Sequence, residues 1–390
     1  MRFQASEAMK RLPTQFFSTL VGKVNHVIAQ GHDVINLGQG NPDQPTPPHI
    51  VKALQVAAEN PLHHKYPPFQ GRQELKEAVA AWYEKERGVR VDPGDEVAIL
   101  FGGKAGLVEI SNIFLNPGDV CLVPDPGYPD YWSGVAMAGG KMEMMPLSAE
   151  KGFLPDFSRI ERETARQAKL MFLNYPNNPT GAVASSAFIE EAVEYCLAND
   201  ILLVHDYAYG AIGFDGQTPA SFLSHPDMKQ AGIEIYTLSK TYNMAGWRVG
   251  FAIGNDEVIH QINLYQDHYF VSLFGAVQMA AVEALSASQQ CVHELVNLYE
   301  ARRNALYRSL HRIGWQAKPT KGSFFAWLPV PEGFSSASFA DVLLQEAHVV
   351  VAPGIGFGEC GEGFVRAGLL VDEHRLEEAA ARIHRMHIFK

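Results

Sequence analysis

Cysteine is scarce and scattered. Four occur in 390 residues, at positions 121, 196, 291 and 360. With no C-x-x-C pair, a zinc ribbon and a thioredoxin-type motif are excluded. Reduced thiols, buried or incidental, are expected instead. Long apolar runs are also absent, so no segment is expected to span a bilayer. The opening Met1-Arg2-Phe3-Gln4-Ala5-Ser6-Glu7 lacks the apolar core of a signal peptide. The expected location is therefore cytoplasmic, with no membrane partner. Positive charge is in deficit: Lys+Arg 32 against Asp+Glu 43 leaves −11. No basic run stands out, which argues against nucleic acid as a partner. Repeats, low-complexity tracts and long linkers are missing too.

What is present suits a globular protein with a large core and two structural domains. Residues 14–30 read as an amphipathic helix stopped by Gly31, followed by an extended Val34–Gly38. Thr46-Pro47-Pro48 reads as a helix start, the hydroxyl capping and proline in the first turn. Buried strands are expected at Val97–Leu100, Val120–Val123, Leu170–Leu173, Ile201–Val204 and Ile233–Leu238. Helical patterns at about 104–115, 128–138 and 185–199 lie between several of them. This alternation predicts an α/β domain with a mostly parallel central sheet flanked by helices, over 46–280. A helix at about 289–313 leads into a small α+β domain, 281–390. It has strands at Ser323–Val330, Val349–Pro353 and Phe364–Leu370, and helices near 336–347 and 372–387. Residues 1–45, an arm, helix and extended segment, are expected to join it.

Ligands of open α/β sheets bind outside the carboxyl ends of the strands. Four polar groups fall there: Gly102–Gly106, Asn178, Asp206 and Lys240. A lone Ser-Lys pair is usually solvated, but Lys240 closes an apolar strand, where a solvated lysine is out of place. A buried lysine with lowered pKa forms imines and moves protons. Asp206, otherwise a turn or cap residue, suits a pyridine nitrogen, and Tyr209 and Asn178 suit a phenolic oxygen. Asn177-Asn178-Pro179-Thr180-Gly181 is equally a good turn. Arg248 offers a fork for phosphate, with the Thr237 and Ser239 hydroxyls nearby. Gly103, Lys104 and Ala105 open a helix whose free N–H groups favour an anion. Tyr128 would stack on a ring, although an isolated tyrosine is more often packing.

Two decoys are set aside. Gly356-Phe357-Gly358-Glu359-Cys360-Gly361 matches G-x-G-x-x-G but runs into a strand rather than a helix, so it is no dinucleotide fingerprint. His63-His64 lacks metal-ligand spacing and reads as surface. No metal is expected.

With these motifs in this order, the chain resembles the class I/II aminotransferases of the fold-type I pyridoxal-phosphate enzymes, over nearly its whole length. The resemblance implies pyridoxal 5'-phosphate as cofactor, held by Lys240 as a Schiff base. Asp206 would pair with the ring nitrogen, and Tyr209 and Asn178 would hold the phenolate oxygen. Thr237, Ser239, Arg248 and the backbone of Gly103, Lys104 and Ala105 would bind phosphate, with Tyr128 on the ring. Arg366 would grip the substrate α-carboxylate, helped by Gly40 and Asn178. Tyr66 would reach the phosphate of a second subunit, implying a homodimer with shared sites. Gly103-Lys104 stands at the phosphate-binding turn where many relatives have a serine or alanine, so only the backbone contacts carry over there.

A finer resemblance is to the methionine-salvage branch, which aminates 4-methylthio-2-oxobutanoate from glutamine or glutamate. It rests on Leu12–Phe17, Asn36–Pro47, Leu100–Leu107 and Glu234–Arg248. Phe16 and Phe17 would suit a thioether, though each is as well explained as core. Substrates would be amino acids and 2-oxo acids. Aromatic, aspartate or LL-diaminopimelate specificity, and a C–S lyase, use the same motifs and stay open. A non-catalytic sensor would need a DNA-binding segment that the pattern leaves no room for.

Overall fold

The computed structural model describes residues 3–13 and 16–389. Side chains of residues 16–19 lie outside the described set, so the Phe16 and Phe17 expectation does too.

Twelve strands appear among the described residues. In chain order they are β1 (Ile35–Asn36), β2 (Val97–Leu100), β3 (Val120–Asp125), β4 (Lys141–Pro146), β5 (Ala168–Asn174) and β6 (Leu202–Asp206). Then come β7 (Gly232–Thr237), β8 (Gly250–Gly254), β9 (Phe325–Pro329), β10 (Val349–Val350), β11 (Ala352–Pro353) and β12 (Phe364–Gly368). Seven form one sheet in the order β2-β8-β7-β6-β5-β3-β4. Only β8 runs against its neighbours; the other pairs are parallel. Parallel strands covered on both faces read as unbroken apolar runs. Accordingly β2, β3 and β7 are buried throughout.

Because β8 is reversed, β2, β7, β6, β5 and β3 all point one way. Their carboxyl ends share an edge, and β8 starts there. The connecting helices include Gly103–Phe114, Pro129–Ala138 and Ser186–Ala198. Two strands escape the sequence reading. Lys141–Pro146 is an exposed edge strand of Lys, Glu and Met with a single buried residue, so no apolar run marks it. Gly250-Phe-Ala-Ile-Gly254 is fully buried, but its bounding glycines look like turns.

The 23-residue helix Gln290–Arg312 leads to the second layer. There β11-β12-β9 form an antiparallel sheet, and β1 pairs in parallel with β10. Residues 35–36 thus belong with the C-terminal region. The expected helix near 336–347 is α-helical over Ser336–Val342 and π-helical over Leu343–Ala347.

Two local expectations are corrected. Thr46 does not cap the helix Pro48–Ala58. Its hydroxyl donates to the Asn243 carbonyl at 2.8 Å, and Pro47 holds the cap position without a side-chain bond. His63 is not surface: it is buried, with Nδ1 2.7 Å from the Ala57 carbonyl oxygen. A buried polar ring needs such a partner. The Gly356 decoy folds as two short 3-10 turns leading into β12. No described helix is long and apolar enough to cross a membrane, and no described cluster of His, Cys, Asp and Glu could hold a metal. The four cysteines are unpaired.

Candidate active site

A cleft of about 300 Å³ opens at the shared strand edge. Its lining includes Gly40, Gly103, Lys104, Tyr128, Asn178, Asp206, Tyr209, Thr237, Ser239, Lys240, Arg248 and Arg366. Twelve of the fourteen sequence candidates therefore converge. Ala105 sits one residue further into its helix and does not line the cleft. Tyr66 is 86% exposed, outside it.

One end of the cleft is built for an anion. The helix Gly103–Phe114 has no side-chain cap, so its first N–H groups are open to a ligand. Gly102 makes the turn from β2 at φ 83°, ψ 160°, a region left to glycine. A Cβ there would lie 2.6 Å from Arg248 Nη2. Glycine is thus what lets the guanidinium lie against the turn. Arg248 itself is left-handed, φ 60°, ψ 45°, which costs a non-glycine residue about 1 kcal/mol. Its Nη1 donates to the Ala245 carbonyl at 2.9 Å. Thr237 ends β7 and accepts the Ser239 N–H at 3.2 Å, and its oxygen lies 2.8 Å from the Ser239 hydroxyl. Lys104 Nζ is paired with Asp130 at 2.9 Å.

The other end holds a buried carboxyl. Asp206 is the last residue of β6 and 5% exposed. Its Oδ2 accepts the Tyr131 hydroxyl at 2.7 Å, and Oδ1 the Ala208 N–H at 3.2 Å. Burial pushes its carboxyl up; the Tyr131 hydrogen bond and the Ala208 N–H oppose that. Tyr131 was missed by the sequence reading. Its only signal is its place three residues beyond Tyr128 on one helix face. Asn174 was missed as well. Its amide donates to the Asp206 carbonyl at 2.7 Å, and its Oδ1 accepts the Asn178 N–H at 2.7 Å. Within the turn the two asparagines divide the work. Asn177 binds the Thr180 N–H and hydroxyl, whereas Asn178 faces the cleft.

Lys240 lies between the two ends, on the short helix Leu238–Thr241. Nζ donates to the Gly40 carbonyl at 3.0 Å. Burial, with the cations Arg366 and Arg248 nearby, brings this amine down to about 8. A useful fraction is then neutral at physiological pH.

Arg366 enters from β12. Nη1 donates to Asn178 Oδ1 at 2.9 Å and Nη2 to the Gly38 carbonyl at 3.2 Å. Its guanidinium lies 3.9 Å from the centre of the Phe325 ring and 4.7 Å from that of Phe357. Burial lowers it to about 10, still cationic at neutral pH. Neither phenylalanine was singled out by sequence.

The segment Gly38–Asp43 straps across the cleft. Asp43 anchors it through two bonds to Arg302, at 2.9 and 2.8 Å. Next along the helix, Arg303 grips Asp215.

The residues fit pyridoxal phosphate. An uncapped helix start with hydroxyls and a guanidinium suits its phosphate, a buried carboxyl its ring nitrogen, and an amine between them its aldehyde.

Residues 32–383 match the family model for aminotransferase class I and II. The chain is 61% identical to the L-glutamine–4-(methylsulfanyl)-2-oxobutanoate aminotransferase of Bacillus subtilis, over 100% of this chain and 98% of that protein. It is 42% identical to an LL-diaminopimelate aminotransferase of Moorella thermoacetica, over 98% of each. The solved structure of substrate-bound BacF from Bacillus subtilis superposes with a TM-score of 0.95 at 47% identity, over 100% of this chain and 99% of that one. The chain belongs to the class I and II aminotransferases, and it is a pyridoxal-phosphate-dependent transaminase with the fold-type I architecture.

Proposed function

We propose that this enzyme transfers the amino group of glutamine or glutamate to 4-methylthio-2-oxobutanoate, giving methionine. The full-length 61% identity to the Bacillus subtilis protein carries this reading. The cleft supports it. Its lining cations are Lys104, Lys240, Arg248 and Arg366. Lys104 is paired with Asp130, and Lys240 and Arg248 belong to the cofactor end. Among the described lining residues, Arg366 is the cation this reading assigns to a substrate carboxylate. That favours an uncharged side chain over a second carboxylate, and Leu107, Tyr128 and Phe325 give it apolar walls.

On this reading each residue has a task. Bound pyridoxal phosphate supplies the sink for electrons released when the substrate Cα–H bond breaks. Lys240 Nζ holds the cofactor, then takes and returns that proton. Asp206 would pair with the ring nitrogen, and a cation there would restore the charge that burial disfavours. Tyr209 and Asn178 hold the phenolic oxygen. Tyr128 covers the ring. Thr237, Ser239, Arg248 and the helix start from Gly103 bind phosphate. Arg366 and the Gly40 backbone orient the substrate carboxylate, and Phe325 shields it from water. Two half-reactions through one site give ping-pong kinetics.

We also place the working enzyme in the cytoplasm, whose reducing conditions suit four unpaired cysteines. Two copies would complete each site, with Tyr66 of one reaching the phosphate of the other. The exposure of Leu62, on the 3-10 turn Pro61–His64, and of Tyr66 and Phe69 just after it supports this.

The test is to incubate the loaded enzyme with glutamine and 4-methylthio-2-oxobutanoate and quantify methionine. Methionine formed more efficiently than products from aromatic, aspartate-derived or diaminopimelate-type substrates is expected. Pyruvate and a thiol from cysteine conjugates, without methionine, would overturn the proposal in favour of a lyase.

A further inference from the structure

Strand β6 ends in two polar residues, His205 and Asp206, and strand alternation sends them to opposite faces. Asp206 faces the cleft. His205 points into the interior and is fully buried. Both of its ring nitrogens have partners. Nδ1 lies 2.8 Å from Glu234 Oε2, and Nε2 lies 3.0 Å from the Tyr175 carbonyl oxygen. A carbonyl can only accept, so Nε2 carries a proton.

Glu234 sits opposite on β7, in register with His205, and is also fully buried. Its carboxyl group receives the Tyr83 hydroxyl at 2.8 Å, the Ser221 hydroxyl at 2.8 Å and the Phe222 N–H at 2.9 Å. Three donors aimed at one carboxyl group favour its ionised, accept-only form. Nδ1 must then donate as well.

We propose that His205 is a doubly protonated imidazolium paired with Glu234, and that it is a positioning residue, setting the positive end of this ion pair behind the strand end that presents Asp206. The pair also joins three strand ends of the cleft. Tyr175 follows Asn174, which binds the Asp206 carbonyl. Glu234 lies on the strand that leads to Thr237 and Lys240.

The surroundings leave the charge in place. The Phe222 ring stacks on the imidazole at 3.9 Å. Tyr83, Tyr175, Tyr207 and Tyr236 are all pushed upward by burial and stay neutral. Arg87 lies beyond, 5.7 Å from the centre of the Tyr207 ring. Asp206, pushed up by its own burial, is pulled back by Tyr131, the Ala208 N–H, His205 and Lys240.

The inference rests on Asp206 as partner of the ring nitrogen, but its first test does not use turnover. The holoenzyme, labelled with 15N-histidine, is examined by NMR at about pH 8.5, some two units above the free imidazole range. Of the 15 histidines, one is expected to keep both nitrogens protonated. If none does, the proton is on Glu234 or absent, and the proposal falls. In the second arm His205→Gln and His205→Asn are compared, either one that folds being sufficient. Loss of that resonance, cofactor release about tenfold faster, and kcat down about tenfold with KM within about twofold are expected, tenfold being the scale of one lost charge-assisted hydrogen bond. Unchanged cofactor release and kcat would overturn the positioning role. A wild-type protein that makes no methionine but retains the NMR signature would sink the substrate reading alone.

Discussion

Asp43→Asn tests whether the strap across the cleft is held by charge. Asp43 and Arg302 share two hydrogen bonds, with side chains 19% and 4% exposed. Breaking a buried pair by removing one partner costs about 3–5 kcal/mol. Here water reaches Asp43, the asparagine oxygen keeps one bond, and Arg302 retains the Leu369 carbonyl at 3.1 Å. The expected loss is therefore about 2 kcal/mol, below that scale and within the range of a hydrogen bond to a charged group. Burial pushes the Asp43 carboxyl up, but Arg302 outweighs it and the net shift is downward. A depressed carboxylate stabilises above the unfolded range and loses that contribution as pH falls through its folded value. Variant and wild type should thus begin to converge only as pH falls below about 4.

The same strap offers the Gly38 carbonyl to Arg366 and the Gly40 carbonyl to Lys240. A shift of about 1 Å in such groups costs up to about 100-fold in rate. We expect kcat/KM to fall between about 10-fold and 100-fold. Urea unfolding and steady-state kinetics measure both effects. Asp215→Asn is the control: Arg303 is equally buried, but Asp215 is 63% exposed and belongs to no strap. It should cost about 1 kcal/mol and leave KM unchanged. If Asp43→Asn stays within about 0.5 kcal/mol and about twofold in kcat/KM, the strap is held by something else.

Three further predictions follow from the cleft. Lys240→Ala should abolish turnover and the covalent cofactor chromophore. Without cofactor it should be more stable than wild type below about pH 8, where both folded and unfolded wild type carry the proton; the gap should close between about 8 and 10.5. Thermal unfolding across that range reads this directly. Tyr131→Phe removes the hydroxyl that binds Asp206, a charge-assisted bond worth about 1.5–3 kcal/mol. At least a tenfold fall in kcat or cofactor affinity is expected, and unchanged values would show Asp206 to be held otherwise. Gly102→Ala should weaken cofactor binding at least about tenfold, through about 1–3 kcal/mol of backbone strain and contact with Arg248. Equilibrium titration by cofactor absorbance checks it, and wild-type affinity would sink the turn argument.

The cleft was legible where apolar strands end in polar residues. Asp206 and Thr237 stand at such ends, and Lys240 just beyond one. Partners from remote segments were not legible. Tyr131 meets Asp206 across 75 residues of chain, and Arg302 meets Asp43 across 259. No local pattern encodes either. β4 was invisible because an edge strand needs little apolar surface. β8 was hidden by the glycines that let it pack tightly: a Cβ on Gly250 would lie 3.0 Å from the Gly103 nitrogen. His63 failed for the opposite reason. A polar residue type was read as surface, but one backbone carbonyl suffices to keep it inside.

The pairing of β1 with β10 also sets a clock. Residues 35–36 meet residues 349–350, and Arg366 binds the strap through the Gly38 carbonyl. During synthesis the emerging N-terminal segment has no partner until more than three hundred further residues have been made, which takes roughly 15–60 seconds at ribosomal rates. Only over roughly the last hundred of those residues, once β8 has been made, can the large sheet fold and present Lys240, and the cleft then lacks its strap. An amine meant to be shielded is then open to any aldehyde in solution. Ordered assembly therefore protects the reactive group last, and cofactor that enters before closure has the widest path to it.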